Sequence, residues 1–342
     1  MATRRRTVAL VGASGYTGTE ALRLLLQHPG VDLRILCAGR QAGREVADIT
    51  PSFYGVELPT MVRFDADQVA AECEFAFLGL PHGTAQQATA QLLDRGVRVI
   101  DLSADHRFSD PAVYEAIYST HTCPESLKRT VYGLPEINRQ EIVGAQLVGC
   151  PGCYPTSVIL GCLPAVRANL VEHNQIIADC KSGVSGAGRD PKPGTHFPET
   201  ADGLHAYKTL AHRHAPEMSH YLNQVKVRFV PHLVPTIRGI LSTMYLSMPP
   251  QVTYDEVRSL YQAFYQDEAF VTLLPPGAHP DPRHVRGTNR CHIGLFQQDN
   301  LLVIQSAIDN LCKGSSGQAM QCFNLMAGFD ESLGLTSTAL FP

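Results

Sequence analysis

Two cysteines lie three residues apart near the middle of the chain, Cys150 and Cys153 in CPGCYPT. Pro155 and the apolar stretch 157–166 predict a helix with Cys153 just before its N-terminus. The partial positive charge of a helix N-terminus favours the thiolate, which is the nucleophilic form of cysteine. We therefore interpret Cys153 as a nucleophile. A redox pair and an inert thiol are the alternatives, whereas zinc would need two further ligands and the chain has no second CxxC.

A histidine cluster, HRHAPE at 212–217, could supply the base that this thiol needs. Histidine titrates near neutral pH and is therefore suited to proton transfer. Pro216 indicates a loop that enters a helix. Spacing alone does not choose between His212 and His214, and the HxH pair could instead bind a metal.

A glycine-rich loop, GASGYTG at 12–18, follows an apolar run and precedes a helical period. In a dinucleotide site the glycines allow a tight turn and the helix N-terminus faces the pyrophosphate. The spacing is GxxGxxG, and a glycine-rich helix entry without a ligand is the alternative. The predicted cofactor contacts of this loop are Gly12, Ser14, Gly15, Tyr16, Thr17 and Gly18.

The end of the second predicted strand, 33–37, bears on the choice of cofactor. An NAD site usually places an acid there for the ribose 2′-hydroxyl, but this strand runs into Ala38-Gly39-Arg40. Arg40 can neutralise a 2′-phosphate, so the sequence favours NADP; an exposed loop arginine is the alternative.

Three arginines are candidates for binding an anionic substrate, because each stands beside glycine or polar residues: Arg107, Arg189 and Arg238. A substrate that carries more than one anionic group needs several such cations. Any one of them could also be an ordinary surface arginine.

The elements that must position these residues change in pattern after about residue 150. Apolar strands at 7–11, 33–37, 74–80 and 97–102 alternate with helical periods at 17–27 and 85–93, which predicts a doubly wound α/β domain of Rossmann type. Later runs at 225–230, 240–248 and 301–308 alternate more and enclose a helix at 254–265, which predicts an α+β domain with a mainly antiparallel sheet. A last, amphipathic helix is predicted at 317–329.

Composition limits the class of protein. The 342 residues are 44% hydrophobic and 18% charged, enough for two domains with buried cores. The net charge of -4 provides no basic field for nucleic acid. No stretch approaches the roughly 18 apolar residues of a membrane helix, and the scattered cysteines do not form a disulfide scaffold. We therefore expect a protein of a reducing compartment, the cytoplasm or an organelle matrix, and predict a cytoplasmic one.

Several strings of the chain together resemble those of the N-acetyl-gamma-glutamyl-phosphate reductases, a family of the aspartate-semialdehyde dehydrogenase-like superfamily. They span nearly the whole sequence and are VGASGYTG at 11–18, LPHGTA at 80–85, DLSADHRF at 101–108, VYGLPE at 131–136, PGCYPTS at 151–157, SGVSGAGR at 182–189, HRHAPE at 212–217, PHLVPTIRGI at 231–240 and AIDNLCKGSSGQAMQ at 307–321. Cys150 and His106 depart from the residues common in this family.

The resemblance implies an NADP-binding domain of residues 1–150 and 315–342 and a catalytic and oligomerisation domain of residues 151–314. It implies Cys153 as the nucleophile, His214 as the acid/base and Glu217 as its orienting carboxylate. It also implies that the cofactor is bound by Pro81, Ser185, Gly186 and Asn310. It implies no metal.

The implied reaction is NADPH-dependent reduction of N-acetyl-L-glutamyl 5-phosphate to the 5-semialdehyde through a Cys153 thioester, a step of arginine biosynthesis, by a homo-oligomer (dimer or tetramer). Two alternatives stay open. One is a related reductase for an aspartyl or carrier-bound acyl phosphate, and the other is an NADP-binding regulatory module without catalysis, although the intact Cys153 and His214 disfavour the second.

Overall fold

The computed structural model describes residues 4–340, which divide into two compact units. The first consists of residues 4–151 together with Ser315–Thr336, and the second of Gly152–Gly314 together with residues 337–340. The first boundary between the units lies between residues 151 and 152, one residue from the predicted division between 150 and 151. Residues 337–340 group with the second unit, whereas the prediction assigned 315–342 to the first.

The strands in chain order are β1 (Arg6–Val11), β2 (Val31–Cys37), β3 (Phe75–Leu78), β4 (Arg98–Asp101), β5 (Thr130–Tyr132), β6 (Leu147–Gly149), β7 (Gln175–Gly183), β8 (His205–Ala206), β9 (Lys226–Val234), β10 (Ile240–Ser247), β11 (Val271–Leu273), β12 (Cys291–Gln298) and β13 (Leu301–Ile308). The helices are α1 (Tyr16–Gln27), α2 (Ala66–Glu72), α3 (Ala85–Asp94), α4 (Pro111–Ile117), α5 (Pro124–Leu127), α6 (Pro135–Gly144), α7 (Cys153–Arg167), α8 (Phe197–Thr200), α9 (His214–Tyr221), α10 (Tyr254–Tyr265) and α11 (Gly317–Ala327).

The first unit is a doubly wound α/β domain. Its sheet has the order β2-β1-β3-β4-β6-β5, and neighbouring strands are parallel throughout. The apolar runs that predicted these strands are buried because a parallel sheet is covered on both faces. On one face Val11, Leu78 and Val99 pack with Leu92 of α3.

Helix α11 covers the other face of this sheet. The Phe323 ring contacts the rings of Phe75 and Phe77, with centroids 5.1 and 5.6 Å apart. The prediction of an amphipathic helix is wrong, because α11 is buried on nearly every side. Its polar residues are hydrogen-bonded inside the unit: the Gln318 amide donates to the carbonyl of Gly133 at 2.9 Å. A buried helix can therefore carry polar residues, and its sequence then looks like that of a surface helix.

The second unit is an α+β domain around a mixed sheet of the order β11-β12-β13-β10-β7-β9-β8. The pairs β7–β9 and β11–β12 are parallel, and the other neighbours are antiparallel. The predicted mainly antiparallel sheet is therefore confirmed. Helix α7 packs across β10 and β13, where the Ser157 hydroxyl lies 2.9 Å from that of Ser242 and 3.1 Å from that of Ser306. These contacts fix the helix that begins at Cys153.

Candidate active site

Cys153 is the first residue of the fifteen-residue helix α7, one residue later in the helix than predicted. The preceding Gly152 has an extended backbone (φ -66°, ψ 154°), and no side chain caps this N-terminus. The Cys153 side chain is partly exposed, whereas Cys162 and Cys180 of the same unit are buried. Burial raises the pKa of the Cys180 thiol to about 12, which disfavours its nucleophilic thiolate form.

The backbone of Gly314 lies against Cys153. A Cβ atom built on Gly314 would stand 2.8 Å from the Cβ of Cys153 and 3.2 Å from its Cα. Gly314 belongs to a π-helical turn, Cys312–Ser316, that leads into α11. Only glycine fits this approach, so the turn forms one wall beside the candidate nucleophile.

Residues of helix α9 contact both chain neighbours of Cys153. The buried Glu217 accepts a hydrogen bond of 2.8 Å on Oε1 from the backbone N–H of Gly152. The ring of Tyr154 lies edge-on to the ring of His214, with centroids 6.0 Å apart. His214 opens α9 and Glu217 follows one turn later, so α9 presents both side chains to the start of α7.

His212 is bonded to the backbone of α9, and its pKa is lowered. Its Nδ1 accepts the backbone N–H of His214 at 3.1 Å. Burial, reinforced by the neighbouring Arg213 and Lys208, lowers the pKa of His212 to about 4. His212 is therefore neutral at pH 7 and holds the first turn of α9, which makes it the poorer candidate for proton transfer.

Arg238 and Asn310 are both engaged inside the second unit. Arg238 is ion-paired with the buried Asp309, with Nε 2.8 Å from Oδ2. The Asn310 amide accepts the N–H of Gly239 on Oδ1 at 2.6 Å and donates to the Ser185 hydroxyl at 3.0 Å. Ser185 and Gly186 lie in the 3₁₀ turn Val184–Ala187, and Arg189 is exposed just after it. Arg238, Asn310 and the Ser185 turn are thus neighbours.

The glycine loop of the first unit has the geometry of a phosphate cradle. Gly12 has φ +91°, and a Cβ there would collide with the backbone of Gly79. A Cβ on Gly18 would collide with the Gly12 carbonyl. Helix α1 begins at Tyr16 with no acidic residue in its first turn, and its N-cap, Gly15, has no side chain to bond its N–H groups. The backbone from Gly12 to Gly18, with Ser14 and Thr17 between, therefore fits a pyrophosphate.

A cavity of about 590 Å³ adjoins this loop. Its lining includes Gly12, Gly39, Arg40, Arg63 and Thr84. Val62 bridges to Cys37 in parallel, which brings Arg63 beside the end of β2. Arg40 and Arg63 are exposed, and neither forms an ion pair with a carboxylate within residues 4–340. Two cations at the ribose end of a nucleotide cavity fit a 2′-phosphate. Pro81 is exposed directly after Leu80, another lining residue.

Arg107 and Cys150 belong to the first unit and are both buried. Arg107 Nε donates to the carbonyl of Cys150 at 2.9 Å. The neighbouring His106 is fully buried, with Nδ1 2.6 Å from Asp101 Oδ2. Arg107 is therefore not an ordinary surface arginine.

Four residues of these sites were not predicted from the sequence: Arg63, Tyr154, Asp309 and Gly314. Asp309 and Gly314 stand in the string 307–321, next to the predicted Asn310, so that string carried a signal for them. Arg63 stands in no recognisable motif. The part of the chain that the structure describes contains no helix long and apolar enough to cross a membrane.

Two family models match the chain, one for each unit. Residues 7–145 match the NAD binding domain of semialdehyde dehydrogenases, and residues 153–310 match their dimerisation domain. Aspartate semialdehyde dehydrogenase II from Vibrio cholerae, in complex with ASA, superposes with a TM-score of 0.72 at 16% identity and covers 95% of this chain and 99% of its own. The Candida albicans enzyme with NADP gives 0.72 at 14% identity, covering 94% and 98%. The chain has the semialdehyde dehydrogenase fold.

Relatives of higher identity narrow the assignment. The proteins from Geobacter metallireducens, Magnetococcus marinus and Azotobacter vinelandii are 47%, 45% and 44% identical and cover 98%, 99% and 98% of this chain and 99% of their own length. Each bears the name N-acetyl-gamma-glutamyl-phosphate reductase. The chain belongs to the N-acetyl-gamma-glutamyl-phosphate reductase family.

Proposed function

We propose that this chain catalyses the NADPH-dependent reduction of N-acetyl-L-glutamyl 5-phosphate to N-acetyl-L-glutamate 5-semialdehyde and phosphate, a step of arginine biosynthesis. The observation that carries the proposal is the position of Cys153 at the start of α7. Glu217 is hydrogen-bonded to the preceding Gly152, and His214 contacts the following Tyr154. An uncapped helix start favours a thiolate, and a histidine next to it can move a proton.

The first half of the proposed reaction is acyl transfer to Cys153. The thiolate sulfur attacks the acyl carbon, a C–S bond forms, and the C–O bond to phosphate breaks, which leaves a thioester and releases inorganic phosphate. Glu217 fixes the Gly152 backbone through its 2.8 Å hydrogen bond and so holds the direction of the Cys153 side chain. We assign Glu217 this positioning role in addition to its predicted orientation of His214.

In the second half His214 is the proton carrier. When bound, NADPH supplies the hydride that reduces the thioester carbon. His214 protonates the oxygen as negative charge develops on it, and removes that proton again while the C–S bond breaks. The aldehyde leaves and Cys153 returns to the thiolate. The low pKa of His212, about 4, supports His214 for this role.

The glycine loop and the cavity beside it support NADP as the cofactor. We assign the pyrophosphate to Gly12, Ser14, Gly15, Tyr16, Thr17 and Gly18, and the 2′-phosphate to Arg40 and Arg63. Pro81, Ser185, Gly186 and Asn310 are assigned to the nicotinamide side. Both polar ends of the Asn310 amide already make hydrogen bonds, so its contact would use the remaining N–H or lone pair.

The anionic substrate is assigned to Arg107, Arg189 and Arg238. The match of residues 153–310 to a dimerisation domain supports a homo-oligomer, either a dimer or a tetramer. A thiolate enzyme that consumes NADPH needs a reducing compartment, which supports the cytoplasm.

A phosphate-dependent reverse assay tests this function. NADP, inorganic phosphate and N-acetylglutamate 5-semialdehyde should raise the absorbance at 340 nm, and omission of phosphate should abolish the rise. Aspartate semialdehyde at the same concentration is the matched comparison. Preference for aspartate semialdehyde would assign the chain to a different substrate, and no rise with any aldehyde would refute the reductase.

A further inference from the structure

The buried carboxylate of Asp309 ties together three segments of the second unit. Oδ1 accepts the N–H of Leu311 at 2.9 Å and of Cys312 at 3.2 Å, and Oδ2 accepts the N–H of Gly287 at 2.6 Å. Arg238 contacts both oxygens, with Nη2 2.9 Å from Oδ1 and Nε 2.8 Å from Oδ2. We call these residues the Asp309 cluster.

The two sides of this cluster lie on different segments of the second unit. On one side Leu311 and Cys312 lead into the turn whose Gly314 lies against Cys153. On the other side are Gly287 and Arg238. The Arg238 side chain keeps 20% of its surface exposed, whereas Asp309 has none. Asp309 therefore contacts the guanidinium on its buried side, and another part of the Arg238 side chain is exposed to solvent.

Close glycine contacts fix the backbone of Arg238 as well. A Cβ on Gly183 would stand 2.7 Å from the N and 2.8 Å from the Cα of Arg238. Gly239 has φ +111°, a conformation that favours glycine, and its N–H is held by Asn310. Backbone and guanidinium are therefore both fixed, and a guanidinium with one fixed orientation presents its exposed part in a defined direction.

We propose that Asp309 is a positioning residue that orients Arg238 toward an anionic group of the substrate. This rests on the proposed function, in which Arg238 binds substrate. The anion is the phosphate or the carboxylate of the substrate, and the separate KM values of phosphate and semialdehyde distinguish the two. Asp309 acts through Arg238 and does not itself touch the reacting atoms.

Asp309→Asn is the sharpest perturbation because it can disturb one side of the cluster alone. The remaining oxygen of the amide can still accept from Leu311 and Cys312, which preserves the Gly314 turn. The new NH₂ group faces the N–H of Gly287 and the Arg238 guanidinium, and neither can accept a hydrogen bond. Arg238 Nη2 can still donate to the remaining oxygen, but Arg238 loses its ionic partner and its Nε faces the NH₂ group. The guanidinium should therefore be held less firmly, while the position of Cys153 is kept.

The experiment measures kcat and the KM values for phosphate, semialdehyde and NADP in the reverse direction. For Asp309→Asn we expect the KM of phosphate or of semialdehyde to rise about 10- to 100-fold, the loss of a charge-assisted contact. The KM of NADP should change less than about twofold, and kcat less than about threefold. Asp281→Asn is the matched control, because Asp281 pairs with the exposed Arg283 at 2.6 Å on the loop that also carries Gly287; it should leave every constant unchanged.

A double-mutant cycle with Arg238→Ala separates positioning from general damage. If Asp309 acts through Arg238, the double variant should resemble Arg238→Ala, and the two effects should not add. Additive effects, or unchanged KM values in Asp309→Asn with an active wild type, would overturn the inference and leave the proposed function standing. A wild type without reductase activity would overturn both.

A second variant keeps the inference testable if Asp309→Asn does not fold. Arg238→Lys retains the charge next to Asp309, but an ammonium lacks the planar arrangement of N–H donors that gives a guanidinium one fixed direction. We expect the same KM to rise at least about tenfold, with a melting temperature close to that of the wild type. An unchanged KM in Arg238→Lys would show that a fixed guanidinium is not needed.

Discussion

Removing the two cations of the nucleotide cavity should convert an NADP-selective protein into one that binds NADP and NAD alike. Arg40 and Arg63 line the same cavity beside the end of β2, are exposed, and have no carboxylate partner within the described residues. Asp65, the nearest acid along the chain from Arg63, is engaged as the N-cap of α2, where it accepts from Asp67 and Gln68. A 2′-phosphate would therefore be their ionic partner.

The magnitude follows from the exposure of the two side chains. A hydrogen bond to a charged group contributes about 1.5–3 kcal/mol, and solvent screening at an exposed site favours the lower end. Arg40→Ala and Arg63→Ala should each raise the Kd for NADP about tenfold, and the double variant about 100-fold, since 1.36 kcal/mol corresponds to a factor of ten. The Kd for NAD should stay within about twofold.

Titration calorimetry with NADP and NAD at low and high salt measures these values. The NADP preference of the wild type should fall with ionic strength, because exposed charges are screened. Arg44→Ala is the control, since Arg44 is exposed close by but bonds to the Gln41 side chain at 3.0 Å. If the variants lose affinity for NADP and NAD equally, the arginines stabilise the fold or bind the adenosine and do not bind the 2′-phosphate.

Five further substitutions test the second unit and Cys150. Cys153→Ser should abolish turnover in the 340 nm assay while calorimetry still detects NADP binding, whereas Cys150→Ala should keep most activity; a dead Cys150 variant would favour the redox pair. His214→Asn should lower kcat about 10²- to 10⁴-fold, and a larger loss in His212→Asn would reverse the assignment of the two histidines. The pKa of His212 is lowered to about 4, so between about pH 6.5 and 4 His212 is protonated in the unfolded chain but not in the folded one. The stability of the wild type should therefore fall as the pH falls through that window. The urea midpoint should drop less between pH 7 and 4.5 in His212→Asn than in the wild type. Gly314→Ala places a methyl group 2.8 Å from the Cβ of Cys153. It should lower the free energy of unfolding by about 1–3 kcal/mol and slow alkylation of the Cys153 thiol. Wild-type values for both would show that the turn shifts to accommodate the methyl group.

Features that depend on neighbouring residues were predictable from the sequence. Helix α10 was predicted with its observed bounds, because its capping box and apolar period are both local. The start of α7 was predicted to within one residue, from a proline and an apolar run. The strands of both sheets could be recognised because burial on one or two faces sets the period of apolar residues.

Contacts between residues far apart in the chain could not be predicted from local sequence patterns. The bond between Glu217 and Gly152 joins residues 65 positions apart, and the contact between Arg238 and Asp309 spans 71. No periodicity encodes such pairs, since the fold brings them together. Arg63 reaches its cavity through a single bridge between Val62 and Cys37, and α11 looked amphipathic because its buried amides bond inside the unit.

The place of α11 in the chain has a consequence for biosynthesis. This helix packs on the sheet of the first unit, and Arg6 of β1 donates to the carbonyl of Ala327 at 3.1 Å, yet the whole of Gly152–Gly314 is translated in between. While the ribosome makes that segment, the nascent sheet exposes the surface that Phe323 later covers, including Phe75 and Phe77. The second unit is continuous apart from its last residues, so β3 is made early in synthesis but is fully buried only after the whole second unit has been translated.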